Sequence, residues 1–364
     1  MRLVLIGDAQ SPHLLKWARA LAAAPGLELW AISSRGFMPA FDAVVPLARR
    51  LALDTQPVHV GGNGRLLMNL PRVARWLSRV DADWLHPHYL TSHGTLAWLA
   101  KRLSGLRAGI VGSAWGSDIL VTPQRSFLHA WLARRILRNC TLATSDSAYM
   151  AERMRALGAP EVMTFAFGLE ALPTEPVAKK TPWLFFANRG LEPIYRPDRV
   201  LALFAEIAAR QPTAQLVIAN SGSLAAALPD AARALGLSVG ALANGQQLEF
   251  VGRLDATAQA GWYDRAQWYL SLPQSDSVSV SLLEAMAHGC IPLVSDLPAN
   301  RELVRDHDNG GIVTRAGLDL DALPQLLDNA AGIARVNRAW IGDHGLFEPA
   351  VARFLVRLRE LTAR

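Results

Sequence analysis

Cysteine is nearly absent: Cys140 and Cys290 are the only two in 364 residues. Their separation matches no metal-ligand spacing, so they read as buried free thiols in a reducing cytosol. Long apolar runs are lacking as well. No stretch reaches the ~18 residues that cross a bilayer. Met1–Gly7 has no long apolar region before Asp8-Ala9-Gln10-Ser11, so no secretory leader is expected. Charged residues make up only 19% against 51% hydrophobic, which suits a globular protein with sizeable cores, and the length suits two domains. The first loop, Gly7 to Ser11, has one glycine where a dinucleotide fingerprint has three, which leaves hydride transfer without support. Internal repeats, low-complexity tracts and nucleic-acid modules are missing.

The charge that is present is unbalanced, +6 with a pI near 9.7. A basic balance fits nucleic acid, an anionic membrane or phosphate-bearing substrates, and without a nucleic-acid module the last two remain. Between Gln124 and Arg138, the arginines 125, 134, 135 and 138 alternate with Phe127, Leu128, Trp131 and Ile136. That pattern fits a helix resting on anionic lipid; an ordinary surface helix with its apolar side in a core is the favoured reading.

The most informative stretch runs from Leu270 to Asn309. Tyr269–Leu272 is a short apolar strand stopped by Pro273, and Gln274–Ser277 is a polar loop. Ser281–His288 is a helix with Leu282, Leu283 and Met286 on one face and Gly289 as its stop. Ile291–Val294 is a buried strand, followed by Ser295-Asp296. A strand, loop, helix and strand in this order make a parallel sheet, whose ligands lie at the carboxyl ends of its strands. Asp276 in the loop and Glu284 on the helix can reach one crevice, although a helical carboxylate also suits a solvated face.

These residues resemble the donor-site signature of the family 4 retaining glycosyltransferases, which have the GT-B fold. The matching elements are an acid, seven residues, Glu, Ala-Met-Ala, a glycine and a proline-containing strand ending in Ser-Asp. The resemblance implies that Glu284 holds the ribose of a nucleotide and Asp276 the transferred sugar. The chain departs from the pattern in two ways. Its first acid is Asp rather than the usual Glu, and the glycine-rich loop is replaced by Ser277-Val278-Ser279, which cannot approach a ligand as closely.

The rest of the chain is consistent with two doubly wound α/β domains, 1–172 and 181–348. In the first, the strand Arg2–Ile6 leads to a helix over His13–Ala23, begun by Ser11-Pro12. The strand Glu28–Ser33, a region around Val44-Val45 and a helix over Arg72–Val80 follow. Asp81-Ala82-Asp83 has metal-site spacing but sits between that helix and the next strand, so no metal is assigned. Trp84–Tyr89 resembles the fourth strand of the family's amino domain, with His86 and His88 on one side. Here the resemblance implies acceptor-side residues. His88 is the candidate acid-base group, with His86 and His93 next; His13 touches donor phosphate or acceptor, or only caps its helix. Relatives carry a histidine where this chain has Trp115, after the strand Ala108–Ser113. Either the reaction does without that imidazole or His88 serves. Asp118 is a candidate proton acceptor or a helix cap.

The strand Leu142–Ser145, the helix Ala148–Leu157 capped by Asp146-Ser147, and the segment Glu161–Phe167 complete the domain. Pro173–Lys180 reads as the linker. In the second domain the strand Trp183–Ala187 leads to a loop from Asn188 to Arg196 and a helix over Asp198–Ala209. By resemblance Arg189 binds the donor diphosphate, and a second cation falls at Tyr195 or Arg196, with Arg196 assigned. Leu216–Ala219 is a strand and Tyr263–Gln267 a short helix; Leu248–Leu254 resembles the family strand whose following backbone faces the nucleobase, which implies Gly252 and Arg253 as further candidates. Ser277, Ser279 and Ser281 add hydrogen bonds. The helix Pro349–Arg364, with Phe354, Leu355, Leu358 and Leu361 in one stripe, crosses back onto the amino domain.

The expected protein is a cytoplasmic glycosyltransferase, peripheral at the inner face of the membrane. It needs no metal or cofactor and moves a sugar with retention from a nucleoside diphosphate sugar to a carbohydrate or lipid-linked acceptor. The alternative is a catalytically weak GT-B partner in a polysaccharide assembly complex.

Overall fold

The computed structural model describes residues 1–55, 64–174 and 179–363. Residues 175–178 of the expected linker lie outside them. The chain divides into two compact units, Met1–Ala166 with Phe347–Arg364, and Phe167–Leu346. Residues 167–172, expected in the amino domain, group with the second unit.

In the first unit, the strands are β1 (Arg2–Gly7), β2 (Glu28–Ser33), β3 (Arg50–Ala52), β4 (Trp84–Pro87), β5 (Gly109–Ser113), β6 (Leu142–Ser145) and β7 (Val162–Thr164). They form one sheet in the order β3-β2-β1-β4-β5-β6-β7, and the pairs are parallel. Helices cover both faces, so β1 reads as unbroken Leu3-Val4-Leu5-Ile6, all fully buried. Leu3 pairs with Trp84 and Ile6 with Pro87. Strand order reverses between β1 and β4, which makes the carboxyl ends of those two strands the place where a crevice opens.

The second unit repeats the plan with β8 (Thr181–Ala187), β9 (Gln215–Ala219), β10 (Leu248–Gly252), β11 (Ala266–Ser271), β12 (Ile291–Ser295) and β13 (Gly311–Val313). Their order is β10-β9-β8-β11-β12-β13, again parallel, with the reversal between β8 and β11. Two expectations need correction, the helix Tyr263–Gln267 and the Ser11 cap. Tyr263–Gln267 is not a helix: Tyr263 belongs to the last turn of the helix Ala256–Arg265, and Ala266 starts β11. Side chains 266–271 are all buried in the sheet, and that burial outweighs helix propensity. Ser11 stands at the amino end of the helix Pro12–Ala22, but its side chain makes no capping bond.

Local signals set other boundaries. Ser147 Oγ accepts from the Met150 amide at 3.1 Å and starts the helix Ala148–Ala156. Gly289, at φ +76°, ends the helix Val280–Ala287 in the left-handed conformation. Asp83 accepts from the Arg2 amide, so Asp81-Ala82-Asp83 lies at the amino ends of β1 and β4, away from the carboxyl ends where ligands bind. Both cysteines are buried.

The terminal helix Phe347–Thr362 belongs to the first unit and buries Phe347, Phe354, Leu355 and Leu358. Trp17, itself fully buried, lies edge-on to Phe347 and Phe354 at 5.0 and 5.4 Å. Arg357 grips Glu161 through two bonds of 2.7 Å, and Trp84 Nε1 donates to Thr362 Oγ1 at 2.8 Å. Phe354→Ala opens a cavity in this core and is expected to destabilise the first unit by about 3–5 kcal/mol. Denaturant unfolding followed through tryptophan fluorescence checks this; a change below about 1 kcal/mol would place the helix outside the cooperative core.

Candidate active site

The β8–β11 reversal of the second unit gathers side chains from two loops and one helix. Arg189 follows β8, Asp276 follows β11, and Ser279 and Ser281 sit at the start of the helix Val280–Ala287. Arg189 Nη2 donates to Asp276 Oδ2 at 2.5 Å, and Nη1 donates to Ser279 Oγ at 2.6 Å and Ser281 Oγ at 3.2 Å. The Tyr195 ring lies 4.5 Å from the guanidinium carbon. Asp276 Oδ1 also accepts from the Ser277 amide at 3.0 Å. Burial pushes the Asp276 carboxyl up from the usual carboxylate range, while Arg189 and the Ser277 amide oppose the rise. Burial also works against the charge of Arg189, but Asp276 together with Tyr195, Tyr269 and Tyr263 outweighs it and the guanidinium stays protonated.

The second carboxylate joins this cluster through neutral groups. Glu284 Oε2 accepts from Gln259 Nε2 at 2.9 Å and from the Tyr263 hydroxyl at 3.1 Å. The same hydroxyl lies 3.1 Å from the Ser281 carbonyl and accepts from Asn188 Nδ2 at 2.7 Å. Tyr269 is within reach of Asn188 Oδ1 at 3.1 Å and Ser281 Oγ at 2.9 Å. Each tyrosine has one proton for two acceptors. Asn188 and Ser281 therefore bridge the Glu284 and Arg189–Asp276 halves of one polar network.

Four other candidates remain to be placed. Arg196 is drawn away from this network: its guanidinium makes three bonds of 2.7–3.1 Å to Asp198. Of the two positions considered for a second cation, it is Tyr195 that touches Arg189. Gly252, at φ +66°, offers its carbonyl to the Asn220 amide at 2.6 Å, and Arg253 Nε donates to Ser221 Oγ at 3.0 Å. Asn220 Nδ2 in turn donates to the Asn188 carbonyl at 3.2 Å, so this loop abuts the network without entering it. Ser277 is buried beside Asp276.

The β1–β4 reversal of the first unit holds a different cluster. His86 and His88 project from β4 with rings 4.4 Å apart, edge-on to Trp17 at 4.9 and 5.3 Å. His86 Nε2 pairs with Ser113 Oγ at 2.7 Å. Trp115 Nε1 donates to His88 Nδ1 at 3.1 Å, and the exposed His13 leans on the Trp115 ring at 5.1 Å. An indole only donates, so Nδ1 of neutral His88 is its acceptor and its proton sits on Nε2. Burial lowers His88 well below the usual imidazole range, with His86 adding to the effect, and lowers His86 to about 3. His88 is therefore neutral with its lone pair engaged, which removes the proton-accepting role expected of it. Asp118 is fully buried. Its oxygens accept from the amides of Leu90 at 2.8 Å and Trp115 at 2.9 Å, so it ties the loops after β4 and β5 together. His93 is buried in the turn after β4. Among the described residues, no three His, Cys, Asp or Glu side chains gather as a metal site.

Two family models match in tandem. The first, glycosyl transferase 4-like, covers residues 2–147, and the second, glycosyl transferases group 1, covers 170–330. The chain belongs to the group 1 glycosyltransferases. It is 26% identical over 284 residues to the phosphatidyl-myo-inositol mannosyltransferase of Mycobacterium leprae, covering 73% of this chain and 72% of that one. Against the Mycobacterium tuberculosis enzyme of the same name it is 28% identical over 292 residues, with the same coverage. Among solved structures, HepE of Anabaena with UDP and glucose superposes at TM-score 0.77 with 14% identity, covering 99% of this chain and 100% of that one. Sucrose-phosphate synthase of Thermosynechococcus elongatus also gives 0.77, with 15% identity and coverage of 100% and 99%. The fold is GT-B.

For this glycosyltransferase, motif spacing and the family resemblance together picked out Arg189, Asp276, Glu284 and the serines, but missed Asn188, Gln259, Tyr263 and Tyr269. One signal was available: a tyrosine inside a fully buried strand, as at Tyr269, needs a partner for its hydroxyl. Tyr263→Phe is expected to strand Asn188 Nδ2 and cost about 1–3 kcal/mol of stability; an unchanged melting temperature would show the hydroxyl to be dispensable.

A pH effect follows from Asp118, which burial raises from 3.8 to about 6. A folded value above the unfolded one means that folding favours the protonated acid, so stability is fully present below pH 4 and declines as pH rises to 6. The unfolding free energy of wild type relative to Asp118→Asn is expected to fall by roughly 3 kcal/mol across that window and then level off. Denaturant titrations at several pH values would overturn this if the difference were flat.

Proposed function

We propose that the protein transfers a sugar, with retention and without a metal or cofactor, from a nucleoside diphosphate sugar to a hydroxyl of a glycolipid or saccharide acceptor. The observation that carries this reading is the Arg189–Asp276 pair seated on Ser279 and Ser281 and wired to Glu284. In this reading Glu284, already oriented by Tyr263 and Gln259, holds the ribose hydroxyls, and Asp276 holds the hydroxyls of the transferred sugar. The names of the relatives support the partners: the mycobacterial proteins are named for a mannose and a phosphatidylinositol, and HepE was crystallised with UDP-glucose.

The acceptor oxygen bonds to the anomeric carbon as that carbon's bond to the diphosphate oxygen breaks. The electron pair and the hydroxyl proton both leave with the nucleoside diphosphate, so no histidine is needed to carry the proton. Arg189 offsets the charge that develops on the diphosphate. The first turn of the helix Val280–Ala287 adds its amides, because the Ser279 side chain makes no capping bond and turns to Arg189 instead.

The test is nucleoside diphosphate release from a panel of nucleotide sugars, with and without lipid-linked and free saccharide acceptors. Release from none of them, despite nucleotide binding, would point to a catalytically weak assembly partner. Glu284→Ala is expected to weaken donor binding by about 10–100-fold, the worth of a charge-assisted bond of roughly 1.5–3 kcal/mol; unchanged nucleotide affinity in calorimetry would refute its role. Arg189→Lys, which keeps a cation beside Asp276 but not the planar fork, is expected to lower kcat with native folding retained, and full activity would show that the loop has another purpose.

A further inference from the structure

The excess positive charge is confined to one part of the first unit. Between Trp84 and Ser145 the chain carries seven cations, Lys101, Arg102, Arg107, Arg125, Arg134, Arg135 and Arg138, and one carboxylate, Asp118. That net of +6 equals the net for the whole chain, so the remaining residues carry 30 cations and 30 anions. The single acid is fully buried, so it cannot neutralise the surface.

The same segment exposes apolar side chains. The helix Phe127–Leu137 turns Ala133, Ile136 and Leu137 into the core, while Phe127, Leu128 and Trp131 are 77%, 72% and 50% exposed. Spaced one and four apart, these three share a face with Arg134, Arg135 and Arg138 further along the helix, and those arginines are also exposed. An ordinary surface helix hides its large apolar residues and shows its polar ones; this one has apolar residues on both sides. The helix Thr95–Ser104 continues the surface, with Leu103 59% exposed beside Lys101 and Arg102. Arg102 and Arg135 both stack on its Trp98, at 5.8 and 5.6 Å.

We propose that this face is a membrane-contact surface for anionic lipid, with Phe127, Leu128 and Trp131 entering the headgroup–acyl boundary and the arginines meeting lipid phosphates. Charge complementarity selects the occupant. Exposed apolar side chains beside cations, in a segment whose one acid is buried, match the apolar boundary and the phosphates of an anionic bilayer, and a nucleic acid gains nothing from three bare apolar side chains. Ile136, on the inner side of the same helix, packs against Gly94 in the turn Leu90–Gly94, which directly follows His88 and Tyr89. The surface is thus joined to the carboxyl end of β4, where an acceptor carried by a lipid would be presented. This last step rests on the proposed transferase reading; the lipid contact itself does not.

The test is cosedimentation of the full chain with vesicles of phosphatidylcholine alone or mixed with phosphatidylglycerol. Binding is expected to the mixed vesicles only and to weaken with salt. The variant Phe127→Ser/Leu128→Ser/Trp131→Ser is expected to lose at least about tenfold in affinity, with nucleotide binding unchanged. Arg134→Gln/Arg138→Gln, which leaves the core untouched, is expected to lose about fivefold per arginine. Quenching by brominated lipid, present in wild type and reduced in Trp131→Phe, places the helix in the bilayer even if the triple variant folds poorly. The proposal is overturned if wild type stays in the supernatant, or if the variants pellet as wild type does. It is also overturned if sedimentation velocity shows a dimer that only the triple variant loses, or if RNA competes the protein off the vesicles through the same residues. Sugar transfer to a soluble acceptor without vesicle binding would sink the surface and spare the enzyme; vesicle binding without nucleotide binding would do the reverse.

Discussion

A half-buried guanidinium needs a fixed set of partners, and the second unit is arranged to supply them to Arg189. Asp276 neutralises it from one side, Ser279 and Ser281 accept from it on another, and the Tyr195 ring covers its face. An arginine left in such a place with one partner removed would be strongly destabilising. With all partners present it is held where a diphosphate needs a cation that does not have to reorganise. The parallel sheet makes this arrangement available. Because strand order reverses between β8 and β11, the loops after those strands part enough to form a crevice but remain close enough to bond to each other.

The network extends the same constraint to Glu284. Its Oε2 accepts from Gln259 and Tyr263, and Tyr263 is held by Asn188, next in sequence to Arg189. The residue pair Asn188-Arg189 thus faces both halves of the site, one through amide bonds to tyrosines and the other through charge. A helix of eight residues, Val280–Ala287, carries Ser281 and Glu284 on the same side, three apart, which is the spacing at which neighbouring side chains line up.

The first unit solves a different problem with the same topology. Its reversal at β1 and β4 is filled by rings, with Trp17 contacting His86, His88, Phe347 and Phe354. Stacked among aromatics and away from water, the imidazoles stay neutral, and Trp115 occupies the one lone pair that His88 has. Trp115, at the position where the family resemblance leads one to expect a histidine, has no lone pair to accept a proton and also engages the lone pair of the neighbouring imidazole. What this unit shows to its surroundings lies in the helix Phe127–Leu137, where aromatic and basic side chains stand in solvent.

Spacing and composition alone determined much: the parallel strands, the second-unit helix stopped at Gly289, and the reach of Asp276 and Glu284 to one crevice; Arg189 came from the family resemblance. These are legible because periodicity, glycine stops and loop polarity are local properties of the chain. Tertiary structure decided which side chains touch. It gave Arg189 to Asp276 but Arg196 to Asp198, engaged the lone pair of His88, buried Asp118 as a tie between two backbone loops, and turned Phe127, Leu128 and Trp131 outward. It also made Ala266 and Gln267 strand rather than helix. Each of these depends on partners brought from distant parts of the chain and on how much water they exclude, and neither can be read from a residue's immediate neighbours in sequence.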